Sequence, residues 1–193
     1  NNIVRDCTSA STDLNESLIG VMWASDTLIQ GNRLRNLNAE TYGYGIRLDD
    51  KTPGITIDSN SIKGVLVGIG TDSSATSRER MAITNNVVES AAQSIHLGGG
   101  TPGSGNEPNG VVIANNRVKN AGSTLSTIYV GAEVTGPLIT GNQAIGGVDG
   151  INILAPNAII AGNVLRSTNG FRAQAAVTTY IHDNYFVGTT ALL

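Results

Sequence analysis

The chain of 193 residues contains a single cysteine, Cys7, so no disulfide can close within it. Without a matching His and Asn context, that thiol reads as a buried or half-buried side chain and not as a nucleophile. Aromatic residues make up only 4% of the chain, which excludes an extended aromatic platform and leaves the interior to Ile, Val, Leu and Ala. No apolar run approaches the length needed to cross a bilayer, so no membrane partner is expected. Lys and Arg number 12 against 15 Asp plus Glu, and they form no cluster along the chain. That argues against a phosphate-tracking surface, and so against nucleic acid as a partner. Apolar residues at helical spacing are also scarce, and 24 glycines punctuate the chain; one short helical turn is expected near residues 76–80.

What is present is a repeat. Isoleucine, two small or polar residues, asparagine, one free position and another apolar residue recur at Ile29/Asn32/Leu34, Ile57/Asn60/Ile62, Ile83/Asn86/Val88, Ile113/Asn116/Val118, Ile139/Asn142/Ala144, Ile160/Asn163/Leu165 and Ile181/Asn184/Phe186. Asn2 and Val4 read as the tail of one more copy. Successive asparagines are 28, 26, 30, 26, 21 and 21 residues apart, the period of one rung of a solenoid. Isoleucine is a strand former that packs inside, and asparagine is a turn residue that tolerates left-handed backbone, so the phrase reads as strand, bend, strand. A third apolar stretch follows in each repeat, as in Gly45-Ile46-Arg47-Leu48, Ser94-Ile95-His96-Leu97 and Gly150-Ile151-Asn152-Ile153. Its alternation is that of a strand buried on one face.

Three short strands per coil, about seven coils and an asparagine ladder resemble the right-handed parallel β-helix of the pectate-lyase-like superfamily, over nearly all of residues 1–193. In character the chain looks most like phage tailspike or polysaccharide lyase or hydrolase β-helix domains. The resemblance implies an all-β, single-stranded solenoid in one domain, with the asparagines stacked at the bend between the second and third strands of each coil. The repeat is already under way at Asn2, and the chain ends on Ala191-Leu192-Leu193 without an obvious polar cap. A fragment of a longer chain, or ends covered by other segments, is therefore expected.

Loops between the first and second strands are longest at residues 71–80 and 98–109, where a wall beside a groove is expected. Side-chain alternation points Arg47, His96, Tyr129, Asn152 and Arg172 outward, in a row stepping about 4.8 Å per coil. Such a stripe suits an extended polymer, and Gly68, Gly70, Gly98 and Gly131 beside it would let a ring approach the backbone. Asp49, Asp50 and Asp72 end the first strands, together with Glu133. Two carboxyl groups can cleave a glycosidic bond, so the three aspartates are the candidate catalytic residues, while Arg47, His96, Tyr129, Glu133, Asn152 and Arg172 are candidates for substrate binding. Asp49-Asp50 looks like the double aspartate of the polygalacturonase family, and Arg117-Val118-Lys119 is superficially similar to its Arg-Ile-Lys. That family's Gly-His-Gly has no counterpart, because His96 stands between Ile95 and Leu97.

The function expected from the resemblance is polysaccharide binding and cleavage by an extracellular or virion-associated protein, either a glycoside hydrolase or a polysaccharide lyase if it is an enzyme. The alternative is a noncatalytic shaft or carbohydrate-binding module. No cofactor is expected, since acidic residues on adjacent coils do not form the cluster that calcium needs. A homotrimer is the assembly considered, through Met22, Leu154 and Ala175-Ala176.

Overall fold

A computed structural model describes residues 3–5, 17–36, 43–49, 52–71, 80–98, 109–122, 124–174 and 178–192. Its regular elements are all strands, and every ladder between them is parallel. Each coil contributes one strand to each of three faces, as the repeat predicts. The residues around 76–79, where a helical turn is expected, lie outside the described residues, as does nearly all of the long loop pair.

The second-strand sheet has seven strands in chain order, from Leu28–Gln30 through Thr56–Asp58, Ala82–Thr84, Val112–Ala114, Leu138–Thr140 and Ala158–Ala161 to Thr179–His182. Ile29, Ile57, Ile83, Ile113, Ile139, Ile160 and Ile181 are direct register partners along it. A second column runs through Leu34, Ile62, Val88, Val118, Ala144, Leu165 and Phe186. The third passes through Ile46, Ile69, Ile95, Ile128, Ile151 and Phe171. These columns are the core, and nearly all of their members are buried. Removing each such side chain from water contributes about 1.5–3 kcal/mol, and β-branched residues lose little rotamer freedom on a pleated surface.

Two coils depart from three separate strands. Ser61–Thr71 and Val87–Leu97 each run through the third face and on into the first without a break, which fuses those two faces into one 14-stranded sheet. In the first of them Gly64 turns the corner with φ +77°, and a Cβ there would meet the carbonyl of Asn36. The register between the two long strands also slips, so that Val65 to Val67 faces Ser90 to Gln93. The Ser94 and Ile95 N–H groups both donate to the Thr127 carbonyl, at 3.0 and 3.2 Å. This is a β-bulge, which bends a strand and re-aims its side chains.

All seven repeat asparagines form one ladder. Each amide oxygen accepts both the backbone N–H and the side-chain N–H of the asparagine one coil earlier, at 2.9–3.0 Å from Asn32–Asn60 to Asn163–Asn184. The side-chain nitrogens of Asn60 to Asn184 donate in addition to carbonyls of the preceding coil, as Asn116 does to Ile83. The left-handed residue of each bend is the one before the asparagine: Gly31, Ser59, Asn85, Asn115, Gly141, Gly162 and Asp183, with φ of 54–67°. The asparagines were therefore selected for their amides and not for left-handed backbone, which glycine or a short polar residue supplies one position earlier.

Outside the same corner, the Asp58 carboxylate accepts hydrogen bonds from Gln30, Ser59, Thr84 and Asn85, on three successive coils. These donors, Asn85 foremost, hold its pKa well below the ordinary 3.8. A depressed carboxylate stabilises the fold fully above that ordinary value, and the contribution is lost as pH falls below it toward the folded-state value. Asp58→Asn is accordingly expected to be less stable than wild type at pH 6, with the gap shrinking as pH drops below about 4. Urea unfolding midpoints measured from pH 6 to pH 2.5 would check this.

Candidate functional site

On the outer face of the first-strand sheet, Arg47, Gly70, His96, Tyr129, Asn152 and Arg172 stand in one column by register. The alternation expected from the sequence is present, with Gly70 interposed. Arg47 is engaged within its own strand: its Nε donates to Asp49 Oδ1 at 2.8 Å, and its guanidinium lies 5.8 Å from the centre of the Tyr44 ring. Asp49 is thereby a buried partner of an arginine. Asp50 and Asp72 lie outside the described residues, as do Cys7 and Ala175-Ala176 of the trimer expectation.

The middle of the column is where groups converge. The His96 and Tyr129 rings stack with centroids 4.9 Å apart and planes inclined by 28°. His96 Nδ1 lies 2.6 Å from Gln93 Oε1, so with that oxygen accepting, Nδ1 carries the hydrogen, and in the neutral ring Nε2 is the lone-pair nitrogen. Gln93 stands three residues before His96, a spacing that a regular strand would divide between opposite faces. The bulge at Ser94 and Ile95, whose N–H groups share the Thr127 carbonyl, lies between the two residues, and such a bulge re-aims side chains. Sequence reasoning did not find Gln93, because nothing in the local pattern marks the bulge.

Glu133 follows the strand Ile128–Val130 and folds back beneath this pair. It is 7% exposed, and its Oε1 is buried without a hydrogen-bond partner among the described residues. A Cβ placed on Gly98 would lie 3.1 Å from His96 Nε2 and 3.4 Å from Glu133 Oε1, and one placed on Gly131 would collide with the Glu133 carboxylate. Gly98 is itself clamped: its N–H donates to Thr71 Oγ1 at 2.8 Å, and that hydroxyl donates to the Gly98 carbonyl at 2.7 Å. Burial, with the Glu133 charge adding to it, pushes the Tyr129 hydroxyl above its ordinary pKa. Asn152 Oδ1, in the next coil, is a second buried acceptor without a partner among the described residues.

The glycines beside the column do not open it to a sugar ring. The Cβ position at Gly68 is occupied by Val88 and the Ser94 carbonyl and that at Gly70 by the Tyr44 ring, while one at Gly98 would be in tight contact with Tyr129 and His96. They are glycines because neighbouring atoms already fill the space.

A family model described as periplasmic copper-binding protein (NosD) matches residues 25–191, most of the chain. The chain belongs to the NosD family. No curated protein and no solved structure matches it.

Three expectations are corrected by this membership. Polysaccharide cleavage is overturned, and its carbohydrate-binding alternative has no support, because the NosD description is of a copper-binding protein. The structure supplies physical reasons: Asp49 is tied to Arg47, and the glycine positions are filled. The expectation of no cofactor, with calcium the nearest candidate, gives way to a family that binds copper. Tailspike, lyase and virion association also find no support, although a periplasmic description agrees in the broad sense with a place outside the cytoplasm.

Copper needs imidazole, thiolate, thioether or carboxylate donors. Among the described residues no three His, Cys, Asp or Glu side chains gather. Met81 is buried in the core, Met22 is exposed, and His182 is paired with Asp183 in the last coil. The convergence of His96 Nε2 and Glu133 Oε1 over Gly98 remains. It supplies two donors of kinds that copper takes, short of a closed site.

Proposed function

We propose that this NosD-family chain is a periplasmic copper-handling β-helix that takes Cu(II) at an open site, with His96 Nε2 and Glu133 as its own donors. The observation that carries the reading is the buried Glu133 Oε1, without a hydrogen-bond partner among the described residues, which like His96 Nε2 lies within 3.4 Å of the Cβ position of Gly98. A buried carboxylate is costly unless a cation or donor compensates it, and no cation is ion-paired to Glu133 among the described residues. Bound copper would supply that charge. Gln93 fixes the His96 tautomer in the form that offers Nε2, the arrangement in which metal-binding imidazoles are held by an outer partner. Stacking on Tyr129 holds the ring plane. An incomplete donor set suits a carrier, because the remaining positions stay open to a delivering or receiving partner.

Titration of Cu(II) into the purified protein, followed by calorimetry and electron paramagnetic resonance, tests this. Wild type is expected to bind one ion with hyperfine structure from imidazole nitrogen. His96→Ala should remove that structure, Glu133→Gln should remove most of the affinity, and Gln93→Leu should cost about 10- to 100-fold. Equal binding by wild type and Glu133→Gln would overturn the assignment.

A further inference from the structure

The outer face of the third-strand sheet carries a charge pattern that no window of the sequence contains. Two columns of outward residues run along it. One is Arg33, Ser61, Val87, Arg117, Gln143, Val164 and Tyr185; the other is Arg35, Lys63, Glu89, Lys119, Ile145, Arg166 and Val187. Arg33, Arg35, Lys63, Arg117, Lys119 and Arg166 are all exposed, and Glu89 is the sole acidic member of the columns. Glu89 bridges Lys63 at 3.0 Å and Lys119 at 3.7 Å, and the Lys63 contact, foremost, holds its carboxyl below the ordinary range. The face therefore has a formal charge of +5 on a chain whose net charge is −3, which leaves −8 for everything else. Register partners on these neighbouring coils are 26 to 30 residues apart in sequence, so stacking brings the local pairs Arg33/Arg35 and Arg117/Lys119 onto one face with Lys63.

Exposed apolar residues share the face, Val87 between the cations and Tyr185 and Val187 in the coil after Arg166, alongside polar Ser61 and Gln143. Val87 is 51% exposed, Tyr185 62% and Val187 48%, on the same outward side. Basic residues interleaved with exposed aliphatic and aromatic side chains on a flat surface are what an anionic bilayer surface rewards. The cations meet the headgroup charge, and the apolar groups and tyrosine enter the interfacial layer. A duplex polyanion would reward the cations alone.

We infer that the third-strand face docks on the surface of a membrane containing anionic phospholipids, with Arg33, Arg35, Arg117, Lys119 and Arg166 against the headgroups. The expectation of no membrane partner considered only spanning segments, and no described helix is long and apolar enough to span. The inference does not depend on the copper site, which lies on the first-strand face.

Co-sedimentation with vesicles tests it. Wild-type protein is expected to bind phosphatidylcholine vesicles containing one third phosphatidylglycerol at about 0.05 M salt, to release at about 0.5 M, and not to bind pure phosphatidylcholine. Arg117→Gln/Lys119→Gln and, independently, Arg33→Gln/Arg35→Gln should each weaken binding about 25-fold, at about fivefold per cation. Arg172→Gln on the first-strand face should change nothing. Tyr185→Ser with Val87→Ser should weaken binding without altering its salt dependence. Equal binding to both vesicle types, unchanged binding by either double charge variant, or tighter binding to a duplex DNA oligomer than to vesicles would overturn the inference. So would salt-sensitive dimerisation in place of vesicle binding.

Discussion

Asn116→Ala is expected to lower the unfolding free energy by about 4 kcal/mol, although the residue makes no hydrophobic contribution of its own. The Asn116 oxygen accepts from Asn86 N and Nδ2, and its nitrogen donates to the Ile83 carbonyl and to Asn142 Oδ1. Alanine would strand the Asn86 N–H and the Ile83 carbonyl in a corner where Asn86, Asn116 and Asn142 are all buried. Each stranded group costs about 1–3 kcal/mol, because no water replaces the lost partner. The last rung provides the control. Asn184 is only partly buried: its oxygen accepts from Asn163 N and Nδ2 and its nitrogen donates to Ile160 and His182, but solvent reaches this last rung and can replace those bonds, so Asn184→Ala should cost about 1 kcal/mol. Guanidinium unfolding of both variants decides the matter; equal midpoints would mean that the ladder is not what stabilises the corner.

Gly68→Ala is expected to destabilise by about 3 kcal/mol or more, against a near-neutral effect for Gly20→Ala. An added Cβ at Gly68 would collide with Val88 Cγ1 and with the Ser94 carbonyl oxygen. The second contact is with backbone that is locked into the bulge, so no rotamer change relieves it. At Gly20 the nearest atom is the Ser17 hydroxyl at 3.0 Å, on a side chain that can turn away. Adding Val88→Ala to Gly68→Ala removes only one of the two collisions, so the double variant should remain destabilised. Thermal unfolding of the three variants tests this, and full rescue by Val88→Ala would show that the backbone contact yields.

The fold was legible because stacking imposes the same demand on every coil. Ile57, Ile83 and Ile113 fill equivalent layers, and Asn60, Asn86 and Asn116 meet the same need one bend after another, so the demand is written as a repeat. The left-handed position was misassigned by one residue, since Gly31, Ser59 and Asp183 share no side chain and only their shared φ identifies them. The outward column of Arg47, His96, Tyr129, Asn152 and Arg172 was also readable, because strand alternation is strict. Its chemistry was not readable. Whether Glu133 is solvated or buried, and whether Gln93 reaches His96, depends on a bulge and on which atoms fill the space over Gly98 and Gly131.

Periodic isoleucine and asparagine by themselves determined the solenoid, its core and its amide ladder, because those properties repeat with the chain's own period. Only the tertiary structure decided where charge collects. Lys63, Glu89 and Lys119 are distant along the chain yet neighbours across coils, and a chain that shows no basic cluster in sequence acquires a basic face in space. Coil stacking turns a separation of nearly thirty residues into about 4.8 Å, and electrostatic interactions follow the second distance.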